Sequence, residues 1–527
     1  MKDNKSIPRS HKIYFEKRDV TGGEMKKSAV RSAGVVVFSR GAVYFINMFS
    51  VIVLARLVTP GDFGLVTMVI APFGVLLDVG NLGLSEATIQ SKEINHRQVS
   101  TLFWINVTLS LALASLLIVL APLISIFYDE SRLQSITIAI ALIYIVSGLS
   151  TQHLALLRRN MQFYSITAIE ITSSALSVVV AIALAWQGWG YWAIVSRYIV
   201  LSTVTTAGAW LLSQWYPGLP AVKTKIGPML RFGINFLGSN IIYYFSKNLD
   251  KVLLGWRYGS QSLAYYDRAY HLFAMPLNQL LFPLGNVAFS ALSRLRDDPE
   301  RFRRYYLKSI SMLGFLGMFL SAILTLTGRD LILLLLGPQW NTAGQIFTIF
   351  SLSIGISLIY MTFGWVNLSL GRADRQIRCT LLMFFMTVLF FAIGLPYGPF
   401  GVAIAFTAAP YILILPSLWY AGRPIDLKLS SMVAVIWKYY VAAFFAGALC
   451  WLALYEIESS AHIFAGLHIV ARLLLSCVLC TSLYLILVVI FYQSIAPVSQ
   501  FFTILREMVP LFGKKGDIEQ APLSSGS

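Results

Sequence analysis

Charged side chains are scarce in this chain. Asp, Glu, Lys and Arg make up 12% of its 527 residues and hydrophobic types 57%, with a mean hydropathy of +0.70, which excludes an ordinary soluble protein of this length. Cysteine is rarer still. Of Cys379, Cys450, Cys477 and Cys480, the last two spell C-V-L-C inside an apolar run without acidic or histidine neighbours, so they read as buried small residues and not as a disulfide or zinc pair. The soluble-enzyme signatures G-x-x-x-x-G-K-[ST], H-E-x-x-H and G-x-S-x-G are missing, and no nucleotide-binding domain follows the last apolar run. No catalytic residue, metal or cofactor is therefore expected, and ATP-driven transport is disfavoured. Residues up to Val30 are polar and basic, with no short apolar core before a small-residue cleavage site, so no cleaved signal peptide is expected.

What the chain has is long apolar runs. A helix needs about 20 apolar residues to cross hydrocarbon and must satisfy its own backbone hydrogen bonds there. Spans are expected at about 33–58, 62–84, 98–127, 134–156, 163–187, 190–214, 228–257, 262–290, 304–326, 341–370, 376–396, 398–421, 432–454 and 468–493. The fold class is all-α: a polytopic membrane protein of about fourteen transmembrane helices. Leu331 to Leu336 is too short to cross and ends in Gly337, Pro338 and Trp340, which reads as a periplasmic interfacial cap.

The formal net charge of +17 sits in short connections and not on one soluble domain, so no nucleic-acid partner is implied. Lys and Arg alternate between sides as the positive-inside rule requires. One side collects Lys26, Lys27, Arg31, Arg158, Arg159, Lys223, Lys225, the arginines from Arg294 to Arg304, Arg372, Arg375, Arg378, Arg423 and Lys428. Both termini are expected in the cytoplasm.

An internal repeat is also present. Leu54–Val66, LARLVTPGDFGLV, and Leu254–Tyr266, LGWRYGSQSLAYY, lie 200 residues apart (254 − 54), and at that offset Arg31 meets Arg231, Tyr44 and Phe45 meet Tyr244 and Phe245, and Asp78 meets Asn278. An even six-helix unit re-enters from the same side, giving parallel repeats about an axis along the membrane normal. The expected order is a cytoplasmic basic tail (1–32), an N-lobe (33–215), a cytoplasmic linker (216–227), a C-lobe (228–421), an additional helix pair (432–493) and a cytoplasmic tail (494–527).

Ionisable groups inside spans cost about 2.5–3.5 kcal/mol each on insertion scales, so each needs a partner, a wet cavity or an interface. Asn240, Tyr244, Lys247, Asp250 and Lys251 recur at helical spacing, opposite Phe245, Leu249 and Val252; Arg40, Tyr44, Asn47 and Ser50 form a matching polar stripe in 33–58. The stripes are expected to line a cavity between the lobes, although Lys247, Asp250 and Lys251 also suit a structural ion-pair cluster. Arg197, Asp267 and Arg268 lie a couple of turns from helix ends, where they either line the cavity or snorkel. Asp78 and Glu170 could couple to a proton or sodium ion, or neutralise a nearby arginine. His153 reads as an interfacial polar residue. Trp186, Trp189, Trp192 and Trp340 read as an aromatic belt.

The run Leu54–Gln90, LARLVTPGDFGLVTMVIAPFGVLLDVGNLGLSEATIQ, resembles the polysaccharide transporters of the multidrug/oligosaccharidyl-lipid/polysaccharide flippase superfamily, in the colanic acid and succinoglycan exporter branch of Wzx-type flippases. LLRRNMQFYSITAIE (Leu156–Glu170) and LLLLGPQWNTAG (Leu333–Gly344) look like that branch too. The resemblance covers about the first twelve spans. It implies two lobes that open alternately to each side of a bacterial inner membrane and pass an undecaprenyl-diphosphate-linked oligosaccharide outward, with the lipid bilayer and other polysaccharide polymerisation and export proteins as partners. By position, Arg40 and Lys247 are then the first diphosphate or sugar contacts, followed by Lys251, Arg197 and Arg268. Tyr44, Asn47 and Tyr244 line the same space, and Asp78, Glu170, Asp250 and Asp267 serve as charge-pair or coupling carboxylates. The alternatives are a drug/cation antiporter or a peptidoglycan lipid-precursor flippase of the same superfamily, and a membrane-embedded glycan-assembly enzyme. An antiporter favours acidic cavity residues, whereas these stripes are net basic; an enzyme needs a domain outside the bilayer, whereas every periplasmic connection is short.

Overall fold

A computed structural model describes residues 22–74, 76, 83–91, 94–221, 227–461 and 469–499; within its helices the side chains of 22–33, 36–37, 227–243, 245–247, 280, 282–283, 373 and 455–461 lie outside the description. No strand occurs among the described residues. The helices are α1 (Gly22–Leu57), α2 (Pro60–Phe73), α3 (Leu84–Gln90), α4 (His96–Tyr128), α5 (Arg132–Arg159), α6 (Phe163–Trp186), α7 (Tyr191–Ser213) and α8 (Gly227–Arg294). They continue with α9 (Pro299–Leu336), α10 (Asn341–Ser351), α11 (Ile354–Tyr360), α12 (Phe363–Ser369), α13 (Ala373–Gly394), α14 (Gly398–Gly422), α15 (Leu429–Ala461) and α16 (Ile469–Tyr492).

Fewer separate spans are described than the expected fourteen. Among the described residues, nine helices are long and apolar enough to cross a membrane, and eleven if two bent pairs each count as one span. The reasons are local. The expected 62–84 helix stops at Phe73. Stretches 376–396 and 398–421 are continuous through the turn Leu395–Tyr397 and count as one run, Asp374–Ile425, although its 52 residues are enough for two crossings at about 20 each. The expected 341–370 helix is cut into α10, α11 and α12. Residues 331–336, read from the sequence as a separate cap, are the last turns of α9.

Stretches 228–257 and 262–290 are joined as α8, which folds back on itself at Gly259. Asp250 and Tyr266, sixteen residues apart, would be about 24 Å apart on a straight helix, yet their side chains are hydrogen-bonded at 2.7 Å. The reversal uses φ 79° and ψ −179° at Gly259, a conformation essentially confined to glycine. This turn lies 200 residues (259 − 59) beyond Thr59, the N-cap of α2.

The chain divides into two compact units: 1–268 with 332–343 and 391–402, and 269–331 with 344–390 and 403–527. In the first, Leu84, Leu102, Phe103, Leu156 and Trp215 form a buried cluster. His153, expected at an interface, is fully buried here and stacks on Trp210 with ring centroids 4.3 Å apart, because the segment after α7 folds back over α4 and α5. That segment is tied down by Ser100 Oγ accepting from Gly218 N (2.9 Å) and by Trp104 Nε1 donating to Gly218 O (2.9 Å). The second unit is built on Phe302, Tyr306, Leu313, Tyr439 and Tyr484.

At several helix breaks a side-chain donor reaches the last carbonyls, as a low-dielectric surrounding favours. Pro72 precedes the end of α2; there the Tyr244 hydroxyl donates to Ile70 O (3.0 Å) and that of Tyr144 to Phe73 O (2.6 Å). At the break between α10 and α11, Ser321 Oγ donates to Ser351 O (2.6 Å) and the Tyr411 hydroxyl to Leu352 O (2.7 Å). At the end of α1, Trp340 Nε1 donates to Ala55 O (2.8 Å), while Arg56 donates back to the carbonyls of Leu334 and Leu335. Trp340 is therefore fully buried and not part of an interface belt, because its N–H is needed at a helix end. Trp186, 85% exposed, and the exposed Trp189 have the accessibility a belt requires.

One approach requires the absence of a side chain. A Cβ at Gly64 in α2 would lie 1.8 Å from the backbone oxygen of Ser260, next to the α8 turn. Gly64→Ala forces that backbone apart, and Gly259→Ala costs about 1–3 kcal/mol in backbone strain. Both are expected to lower the thermal unfolding midpoint of the detergent-solubilised protein. Gly447→Ala, whose added methyl meets nothing within 4 Å, should not.

Candidate functional site

The first unit holds the sequence-predicted polar residues that can be described, and it sorts them into two groups. The first group is self-neutralising. The hairpin turn of α8 brings Lys251 Nζ to 2.9 Å from Asp267 Oδ1, with the two side chains only 9% and 3% exposed. Asp250 accepts from Lys251 N (2.8 Å) and from the Tyr266 hydroxyl (2.7 Å), and Arg268 stands 3.7 Å from Asp267. Asp250, Lys251 and Asp267 thus form a buried charge cluster, the ion-pair alternative for this stretch. Tyr266 was not singled out in the sequence, because a contact over sixteen residues becomes legible only once the hairpin is known. Tyr244 is engaged as the cap on Ile70 O.

The second group is cationic and incompletely partnered. Arg197 on α7 donates through Nη2 to Asn47 Oδ1 on α1 (2.6 Å) and lies close enough to Arg268 for the two guanidinium charges to repel. Arg268 rests over the Phe63 ring, 4.6 Å from its centroid. The Nε groups of both arginines are buried and have no hydrogen-bond acceptor among the described residues. A guanidinium N–H left over in this way suits an anionic acceptor.

Arg40 and Tyr44 continue this stripe along α1. At about 100° per residue, Arg40, Tyr44 and Asn47 lie on the side opposite the exposed Phe38, Phe45 and Phe49. One side of α1 is therefore suited to lipid and the other to water or a polar ligand. Arg40 is exposed and forms no hydrogen bond or ion pair among the described residues. Counting 1.5 Å per residue from the helix ends, Asn47, Arg197 and Arg268 lie roughly 9–15 Å below one end, and Arg40 about 25 Å below it. Glu170 on α6 is exposed and accepts from Ser39 Oγ on α1 (2.8 Å), a partner not foreseen in the sequence. Asp78 lies outside the described residues, as does the side chain of Lys247.

Many apolar helices and kinked spans define a multi-pass all-α membrane protein. The polysaccharide biosynthesis protein family matches residues 53–345, more than half of the sequence, and the chain belongs to that family. The chain is 24% identical to the lipopolysaccharide biosynthesis protein WzxC of Escherichia coli K12, over 77% of this chain and 82% of that protein. It is 25% identical to the succinoglycan biosynthesis transport protein ExoT of Rhizobium meliloti, over 64% and 68%. Among solved structures, the lipid II flippase MurJ in an inward closed conformation superposes with a TM-score of 0.67 at 15% identity, covering 88% of this chain and 99% of that one; the likeness is one of fold.

The Lys251–Asp267 pair sets up a stability test. Lys251→Met leaves a buried carboxylate without its ammonium partner and should destabilise the purified protein by about 3–5 kcal/mol. Lys251→Met combined with Asp267→Leu should recover most of that loss. Denaturant unfolding in detergent measures both; a single variant as stable as the wild type would contradict a structural role for the pair.

Proposed function

We propose that this chain is a flippase that moves an undecaprenyl-diphosphate-linked oligosaccharide from the cytoplasmic to the periplasmic leaflet of a bacterial inner membrane by alternating access, with both termini in the cytoplasm. It is a transporter and not an enzyme. The observation that carries the proposal is the Arg197 and Arg268 pair, whose buried Nε donors lack acceptors. A diphosphate entering the bilayer loses its hydration and needs charge-assisted donors in return; guanidinium forks supply them, while the sugar stays in a wet lumen and the polyprenyl tail stays in lipid. Arg40, far below that pair on the same side of α1, would receive the headgroup nearer the cytoplasm, with Tyr44 and Asn47 between them. Lys247 belongs to the matching sequence stripe of the second repeat; on that stripe Lys251 and Tyr244 are engaged within the first unit, by Asp267 and by Ile70 O.

The relatives' names support the same cargo class: one is a succinoglycan biosynthesis transport protein and another a lipopolysaccharide biosynthesis protein. The MurJ likeness supports a fold able to flip a lipid. A drug/cation antiporter would be served by unpaired carboxylates, whereas Asp250 and Asp267 are engaged by Tyr266 and Lys251. The peptidoglycan lipid precursor shares the diphosphate, so cargo choice rests on the family and its named members.

Arg197→Gln and Arg268→Gln are each expected to insert at normal level and to reduce export roughly ten- to hundred-fold, the loss of a hydrogen bond to a charged group at about 1.5–3 kcal/mol. Surface polysaccharide and the lipid-linked intermediate retained in the cell report it. Wild-type export in both variants would overturn the site, and accumulation of peptidoglycan precursor instead would reassign the cargo.

A further inference from the structure

Away from the arginine stripe, the second unit carries a cavity of about 450 Å³ between the start of α9 and the α14–α15 connection. On α9, Glu300, Arg303, Arg304 and Leu307 stand at i, i+3, i+4 and i+7, one face of a helix whose other face is anchored by the fully buried Phe302 and Tyr306. Across from them are Leu427 and Lys428. The connection that presents these is tightly built. Leu427 N donates to Gly422 O (3.1 Å), Asp426 takes a left-handed conformation at φ 50°, and Ile425 and Leu427 are buried. Arg303 Nη1 donates to Ile425 O (3.0 Å), which fixes the arginine against that connection.

The cavity thus has two leucine walls and three cationic side chains. Arg304 and Lys428 form no hydrogen bond or ion pair among the described residues, although Glu300 and Asp426 line the same space. Beside it, the Arg423 guanidinium lies 3.7 Å from the centroid of Trp419, itself 45% exposed. Exposed tryptophan under a cation is the composition of the headgroup layer of a bilayer. The lysine and arginine bias assigns this end of α9 and α15 to the cytoplasmic side, where leaflets are anionic.

We infer that this cavity is a binding site for the phosphate headgroup of an anionic phospholipid of the cytoplasmic leaflet, with Arg304 and Lys428 on the phosphate and Leu307 and Leu427 against the first part of the acyl chains. The mixed polar and apolar lining selects a lipid over a soluble phosphate, which has no use for the leucines. The role is separate from cargo handling. It does not depend on which lipid-linked molecule the protein moves, since none of the stripe residues lines this cavity.

The test uses the full-length purified protein and native mass spectrometry with dioleoyl phosphatidylglycerol or dioleoyl phosphatidylcholine as probe. The wild type is expected to retain phosphatidylglycerol in preference to phosphatidylcholine. Arg304→Gln with Lys428→Gln should weaken that retention roughly thirty-fold, about 1 kcal/mol for each cation removed. Arg257→Gln, which removes an exposed arginine next to the α8 turn, should leave it unchanged. Equal phosphatidylglycerol binding by the double variant and the wild type overturns the site, as does an equal loss in Arg257→Gln. Inorganic phosphate displacing the lipid at millimolar concentration would make the ligand a soluble anion and overturn the lipid assignment. Lipid retention is read separately from export, so failure here and failure of the flippase proposal are distinguishable.

Discussion

Hydrocarbon offers no hydrogen bonds to a peptide group, and the described structure is organised around that constraint. Long helices meet it internally, but this chain interrupts its helices repeatedly, at Phe73, Gly259, Ser351 and Leu395. At each interruption a donor arrives from elsewhere in the same unit or the turn is made by glycine. Phenols serve most often: Tyr144 on Phe73 O, Tyr244 on Ile70 O, Tyr411 on Leu352 O and Tyr258 on Leu395 O (2.7 Å). A tyrosine is suited to this, because its ring packs against apolar neighbours while a single hydroxyl reaches the helix-end carbonyl.

The same reasoning separates the charges. A charge deep in the fold must be balanced or must face something polar. Lys251, Asp267 and Asp250 are engaged within the α8 hairpin, with Tyr266 on Asp250 and Arg268 3.7 Å from Asp267. Among the described residues nothing accepts the Nε donors of Arg197 and Arg268, and Arg40, on the polar side of α1, forms no hydrogen bond or ion pair. On the proposed function, Lys251, Asp250 and Asp267 hold the hairpin together, while Arg40, Arg197 and the free Nε of Arg268 meet the cargo. Folding and transport then draw on different members of what looks in sequence like one pool of intramembrane charge.

Apolar periodicity located the four helices from α4 to α7 to within a few residues, since each is a single uninterrupted run between polar connections. Their ends carry local signals as well: Asn95 and Gln98 form a reciprocal capping box at the start of α4, at 2.9 and 3.0 Å. The early stop of α2 was less legible, because residues beyond Phe73 stay apolar and only Pro72 and Gly74 hint at it. Trp340 was misplaced for a related reason. Next to Gly337 and Pro338 it has the composition of an interface residue, and only the tertiary fold brings Ala55 O to its indole. The polar stripe on α1 was readable from helical spacing, and Arg197 and Arg268 were readable as cations near helix ends. Their proximity was not, since nothing in the sequence sets the distance between α7 and the second arm of α8.

The polar side of α1 is where cargo and protein should touch. A photo-crosslinking amino acid at Asn47, used in cells that make the polysaccharide, is expected to capture a lipid diphosphate bearing sugar, while the same probe at Phe45, 73% exposed on the opposite side, captures only bulk phospholipid. Capture of the sugar-bearing lipid from Phe45 and not from Asn47 would contradict the cationic-stripe account directly.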